Sequence, residues 1–107
     1  MSVKMIVVRL QRPSGAPISD ASVTVRRVRT KVLMEDAYAL GGGEGNYKIL
    51  EDNVVQDLRP AGEPFDVTFT RAGRSHRVRL IIGMDAARCH VDIRSGPTTI
   101  TFPGAGD

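Results

Sequence analysis

Apolar residues recur at every second position over much of the chain, the period of a β-strand with one buried face. The longest case is residues 65–82. Phe65, Val67 and Phe69 alternate with Asp66, Thr68 and Thr70. Beyond Ala72-Gly73-Arg74-Ser75, the residues Val78, Leu80 and Ile82 alternate with Arg77, Arg79 and Ile81. Two such runs about a Gly-containing turn predict a β-hairpin, apolar on one face and lined with threonines and arginines on the other.

Shorter runs flank the hairpin. Lys4–Gln11 reads as a strand with Ile6, Val8 and Leu10 on one face and Met5 and Val7 on the other. Two prolines and a glycine in residues 12–17 make a loop. Ala21, Val23 and Val25 then point inward along a second strand. At Arg26-Arg27-Val28-Arg29 the alternation slips; a bulge there would turn Val28 inward and leave the arginines in water. Residues 30–40 read either as a strand and turn or as one helical turn. Gly41–Asn46 is a turn rich in glycine, which adopts positive φ freely. Tyr47–Leu50 is a strand with Tyr47 and Ile49 inward. Residues 51–64 connect it to the hairpin, pinned to the core by Val54, Val55 and Leu58. Gly83–Arg88 turns the chain. His90–Arg94 and Thr98–Phe102 supply the last strands, joined by Ser95-Gly96-Pro97. No long helix and no repeat is visible. The expectation is an all-β, two-layer antiparallel sandwich of about seven to eight short strands, transthyretin-like or Ig-like. It forms one domain over residues 1–102, with 103–107 as a disordered tail.

A chain of 107 residues can bury roughly two-thirds of its unfolded surface and needs no metal or disulfide to fold. Its single cysteine, Cys89, excludes an internal disulfide framework. No apolar run approaches the roughly 20 residues of a membrane span, and no convincing signal peptide is present. The chain as written reads as cytoplasmic, and as extracytoplasmic if a signal has been removed. The net charge of +3 comes with twelve arginines and three lysines. That balance attracts polyanions weakly and lacks the dense basic stripe of nucleic-acid binders.

Three stretches resemble carboxypeptidase-regulatory-like domains. Pro13-x-Gly15-x-Pro17-Ile18-x-Asp20-Ala21-x-Val23-x-Val25 is similar to their opening turn and "A-x-V-x-V" strand. Gly45-Asn46-Tyr47-Lys48-Ile49 resembles their "G-x-Y-x-I" motif, and residues 57–69 their "d-L-x-P-G-x-x-Y-x-V-x-F". The resemblance covers about residues 5–82. It implies a transthyretin-like (prealbumin-like) sandwich that binds or spaces and usually catalyses nothing. Hydroxyisourate hydrolases of that fold end in Tyr-Arg-Gly-Ser and carry several site histidines; this chain ends Phe102-Pro103-Gly104-Ala105-Gly106-Asp107 and has only His76 and His90. Collagen-adhesin B-type domains often join a first-strand Lys to a last-strand Asn. Lys4 is suitably placed, but Thr98–Phe102 offers no Asn or Asp.

Candidate chemistry is sparse. Cys89 and His90 are adjacent and would point to opposite faces of a strand, so neither a zinc site nor a Cys–His pair is signalled; Cys89 meeting His76 across the sheet is the remaining enzyme reading. The glycine run at 41–45 leads into a strand and lacks the Gly-Lys-Ser/Thr ending of a phosphate loop. No cofactor is expected. Arg71, Arg74, Arg77 and Arg79 cluster around the hairpin turn with His76 among them. Arg77 and Arg79 share a face, expected opposite Thr68 and Thr70. Guanidinium groups there can hold a carboxylate, a phosphate or an acidic partner; the alternative is a solvated face that keeps an edge from aggregating. The aromatics Tyr47, Phe65, Phe69 and Phe102 fall on inward positions, which leaves no stacking platform for nucleic acid. The function expected is therefore a non-catalytic interaction or accessory module for a protein, glycan or acidic surface, with edge strands able to pair two copies. The alternatives are a small enzyme using Cys89 with a histidine, and a weak polyanion binder through the Arg71–Arg79 hairpin.

Overall fold

A computed structural model describes residues 5–34, 37–51, 58–85 and 90–103. Among these are nine strands and no helix: β1 (Met5–Gln11), β2 (Ser22–Arg27), β3 (Val32–Met34), β4 (Tyr38–Ala39), β5 (Asn46–Glu51), β6 (Glu63–Arg71), β7 (Arg74–Met84), β8 (Val91–Ser95) and β9 (Thr99–Thr101). They form two sheets, ordered β4-β5-β1-β9 and β3-β2-β6-β7-β8. The two-layer sandwich is as expected, and of residues 30–40 those at Val32–Met34 and Tyr38–Ala39 are strands, while 35 and 36 lie outside the described residues. One pairing departs from the antiparallel rule: β9 runs parallel to β1, Leu10 opposite Ile100.

The hairpin is the centre of the larger sheet. Its turn is two residues long, Ala72 and Gly73, with φ of 51° and 76°. Positive φ at both central residues matches the right-handed twist of the flanking strands, and glycine adopts it without strain. β7 accordingly begins at Arg74, two residues before sequence pattern signals a strand.

The inner faces interlock. Ile6, Val8, Leu10, Tyr47, Leu50 and Ile100 from one sheet meet Val25, Phe65, Val67, Phe69, Leu80 and Ile82 from the other, all at most 4% exposed. Tyr47 packs edge-on against Phe69, centroids 5.2 Å apart. Its buried hydroxyl donates to the Ile18 carbonyl at 2.8 Å and accepts from the Ala21 N–H at 3.2 Å. Burial pushes that phenol's pKa above its ordinary value. The register of β1 on β5 slips between Ile6 and Val7, where Ile6 faces Leu50 but Val7 faces Lys48. Ile49 is the extra residue, so Ile49 and Leu50 are both buried. The slip also places Lys48 and Glu51 together, 3.2 Å apart, with the ammonium 5.0 Å from the Tyr38 ring centre. Of the connection expected to pin the core, Leu58 packs against it; Val54 and Val55 lie outside the described residues, as do Lys4 and the tail from Gly104.

The expected bulge at 26–29 does not form. β2 stays in continuous register with β6 from Ser22–Thr70 to Arg27–Phe65, and the Val28 N–H extends the ladder to the Pro64 carbonyl at 3.2 Å. Unbroken alternation sends Arg26 outward and Arg27 inward. Arg27 is 7% exposed, against the expectation that these arginines stay in water. The cause lies 36 residues away. Glu63, at 2% exposure, opens β6 on the same inner face. It accepts from Arg27 Nε at 2.5 Å and NH2 at 3.0 Å, from Arg29 NH2 at 3.2 Å, and from the Arg59 backbone N–H at 3.0 Å. A buried charge is tolerable only when paired and hydrogen-bonded, and here both conditions are met. Those donors, Arg27 foremost, hold the Glu63 carboxyl at about 2, below its ordinary 4.5.

Candidate functional site: the outer face of the larger sheet

Strand parity divides the arginine cluster. Arg77 and Arg79 lie on the outer face of β7. Arg71 and His76 share the inward parity of Phe69, and Arg74, opposite Arg71, shares it too. His76 is half-buried, edge-on to Phe102 with centroids 6.3 Å apart. Arg71 is paired with Asp20 at 2.7 Å, an interaction that lowers the Asp20 pKa. The five residues therefore do not form one site. His76, Arg71 and Arg74 belong to the rim of the core, and only Arg77 and Arg79 reach the open face.

That face is a grid set by register. One row reads Arg26, Asp66, Arg79 across β2, β6 and β7; the next reads Thr24, Thr68, Arg77; the third reads Ser22, Thr70, Ser75. Arg79 is thus opposite Asp66 and not Thr70. It donates from Nε at 2.8 Å to Oδ1 and from NH2 at 3.2 Å to Oδ2. This fork is the first cause of the lowered Asp66 pKa, and the positive fields of Arg77 and Arg26 add to it. In the third row Thr70 and Ser75 hydroxyls bond each other at 3.0 Å. The middle is left open. Among the described residues the guanidinium groups of Arg26 and Arg77 and the hydroxyls of Thr24 and Thr68 have no hydrogen-bond partner. These four, with Asp66 and Leu33, line a depression of about 220 Å³. Among the described residues, Arg26, Arg77 and the neighbouring Arg79 against Asp66 leave this part of the face two positive charges in excess.

The sequence pattern already turns Thr24 outward but gives it no distinguishing chemistry, and the bulge expected at 26–29 takes Arg26 out of the alternation. Continuing the alternation of Val23 and Val25 through residue 27 places Arg26 beside Thr24 on the outer face.

A larger depression, about 470 Å³, runs between the first half of β1 and β8. Its charged lining is Asp92 and Arg94, and Arg94 turns away to the Met84 and Pro60 carbonyls. For the enzyme reading, Cys89 lies outside the described residues. His76 sits at the turn end of β7, whereas His90 precedes β8, whose first residue pairs with Met84. The two histidines are roughly 25 Å apart along that strand. Among the described residues no three His, Cys, Asp or Glu side chains cluster as metal ligands, and no helix is long and apolar enough to cross a membrane. Comparisons with protein-family models, curated proteins and solved structures find no match to this chain.

Proposed function

We propose that this protein is a non-catalytic interaction module that holds an acidic partner against the outer face of its larger sheet. The observation that carries the reading is the pair of guanidinium groups, Arg26 and Arg77, that line one depression with two hydroxyls, all four without a hydrogen-bond partner among the described residues. Several other arginines are used internally: Arg27 and Arg29 on Glu63, Arg71 on Asp20, Arg79 on Asp66, and Arg9 on Gln11 and the Gly15 carbonyl. Unpaired guanidinium groups on a rigid sheet are pre-oriented for carboxylate or phosphate oxygens. Among the described residues the face carries no aromatic ring to stack a base, which argues against nucleic acid. The resemblance to carboxypeptidase-regulatory-like domains is in keeping with a binding role.

Salt-dependent retention on an immobilised polyanion tests this. The R26A/R77A double variant is expected to elute at clearly lower salt than R12A/R74A, which loses the same charge elsewhere. Co-elution of the two would refute the assignment of this face.

A further inference from the structure

We infer that the Arg26–Arg77 depression takes a tetrahedral oxyanion, a sulfate or phosphate group carried as an ester, in preference to a carboxylate. The inference rests on the acidic-partner reading above and narrows its chemistry.

A carboxylate offers two oxygens in one plane, which one guanidinium fork can engage together; Arg79 on Asp66 is that arrangement, made on this same face. The open donors are laid out differently. Arg26 comes from β2 and Arg77 from β7, with β6 between them and one row of offset, so their Cα atoms are roughly 12 Å apart. Two such long side chains lining one depression approach a guest from opposite sides. Thr24 and Thr68, adjacent across β2 and β6, offer hydroxyls between the two arginines. Donors on three sides suit an anion whose oxygens point in several directions. A planar anion can engage two arginines, as Glu63 engages Arg27 and Arg29, but it turns no third oxygen out of its plane toward the threonine hydroxyls.

Charge points the same way. Asp66 is already committed to Arg79 and is kept ionised by it first and by the fields of Arg77 and Arg26, so it offsets one charge and leaves the other two for a guest. Leu33, 46% exposed at the depression's edge, gives the carrier of the ester an apolar wall.

The test is a titration of the full chain followed by amide and arginine Nε–Hε NMR signals, at ionic strength held constant with chloride. The probes are inorganic sulfate, inorganic phosphate and acetate, then methyl sulfate and methyl phosphate. Sulfate or phosphate is expected to move the signals of Thr24, Thr68, Arg26 and Arg77 at about fivefold lower concentration than acetate, the factor one additional net hydrogen bond confers. R26Q/R77Q is expected to abolish the shifts. Preference for either methyl ester supports the proposal and names its source. Acetate matching sulfate overturns the oxyanion preference and leaves the acidic-partner reading standing. Signals still with every anion, while the polyanion retention still depends on Arg26 and Arg77, also overturns the preference. Signals still with no such dependence removes both.

Discussion

Arg26 and Arg27 are neighbours in sequence and opposites in structure. Arg27 is 7% exposed and locked to a carboxylate at 2.5 Å; Arg26 is exposed, and among the described residues it has no hydrogen-bond partner. Nothing separates them except strand parity, which turns successive side chains to opposite faces. The inner arginine is held by the fold, closing one end of the core with Glu63 and Arg29. The outer one is left for something else. An arginine count therefore says little about function in a sandwich like this; what matters is which carboxylate the register places within reach.

The sharpest way to break this contrast is Glu63→Gln. The substitution keeps the shape and removes the charge, leaving Arg27 buried without its counter-ion. A loss of about 3–5 kcal/mol is expected, seen as a fall of roughly 12 °C or more in Tm. Replacing both partners, as in R27M/E63M, is expected to recover most of it, since well-packed apolar substitutes often match a buried ion pair. If E63Q unfolds at the wild-type temperature, the buried pair does not hold this end of the core.

Acid probes the same site without mutation. The Glu63 carboxyl titrates at about 2 in the folded protein against an ordinary 4.5. The unfolded chain thus takes up a proton first as pH falls, and the stability from this group is complete above about 4.5 and lost toward 2. The shift is worth about 3 kcal/mol. Urea midpoints measured between pH 2 and 6 are expected to fall across that window in the wild type. The part due to Glu63 should be missing in R27M/E63M.

The hairpin could be read from sequence because its signal is local: alternating apolar residues and a glycine turn lie within twenty positions. Its start at Arg74 was hidden because Arg74 and Ser75 are polar and carry no alternation. The Arg27–Glu63 pair was illegible for a different reason. A hydropathy pattern treats every arginine as a surface residue, and the carboxylate that makes burial tolerable lies 36 positions away, in what reads as a connection. The bulge at Ile49 was equally hidden, because Tyr47-Lys48-Ile49-Leu50 continues the alternation in either register. For the candidate site, Arg77 was in view but its companions Arg26 and Thr24 were not. Arg71, Arg74 and His76, close in sequence, dispersed once register fixed their faces.

On the outer face the expected effects are smaller and opposite in kind. Asp66→Asn releases Arg79, which is 57% exposed at the side chain, so the stability lost is expected to stay within about 1 kcal/mol. The same change raises the local excess from two positive charges to three, and retention on the polyanion should strengthen. A mutation that weakens folding slightly while tightening binding would mark Asp66 as a group that positions charge.

Least costly of all is Arg26→Ala. In the folded protein Arg26 is exposed, and among the described residues it has no hydrogen-bond partner, so removing it leaves no known bond unmade and no cavity. Stability is expected to stay within about 0.5 kcal/mol of wild type. Arg27→Ala, one residue on, leaves the Glu63 carboxylate only Arg29 as a counter-ion and the Arg59 N–H as a further donor, and should cost several kcal/mol. Measured side by side by urea unfolding, the two variants isolate the effect of facing, since residue type, strand and sequence context are shared. Equal losses would mean that Arg26 has a structural partner and is not free to bind. A large loss at residue 27 alone, paired with weakened polyanion retention at residue 26 alone, would separate the arginine that builds the sandwich from the one it displays.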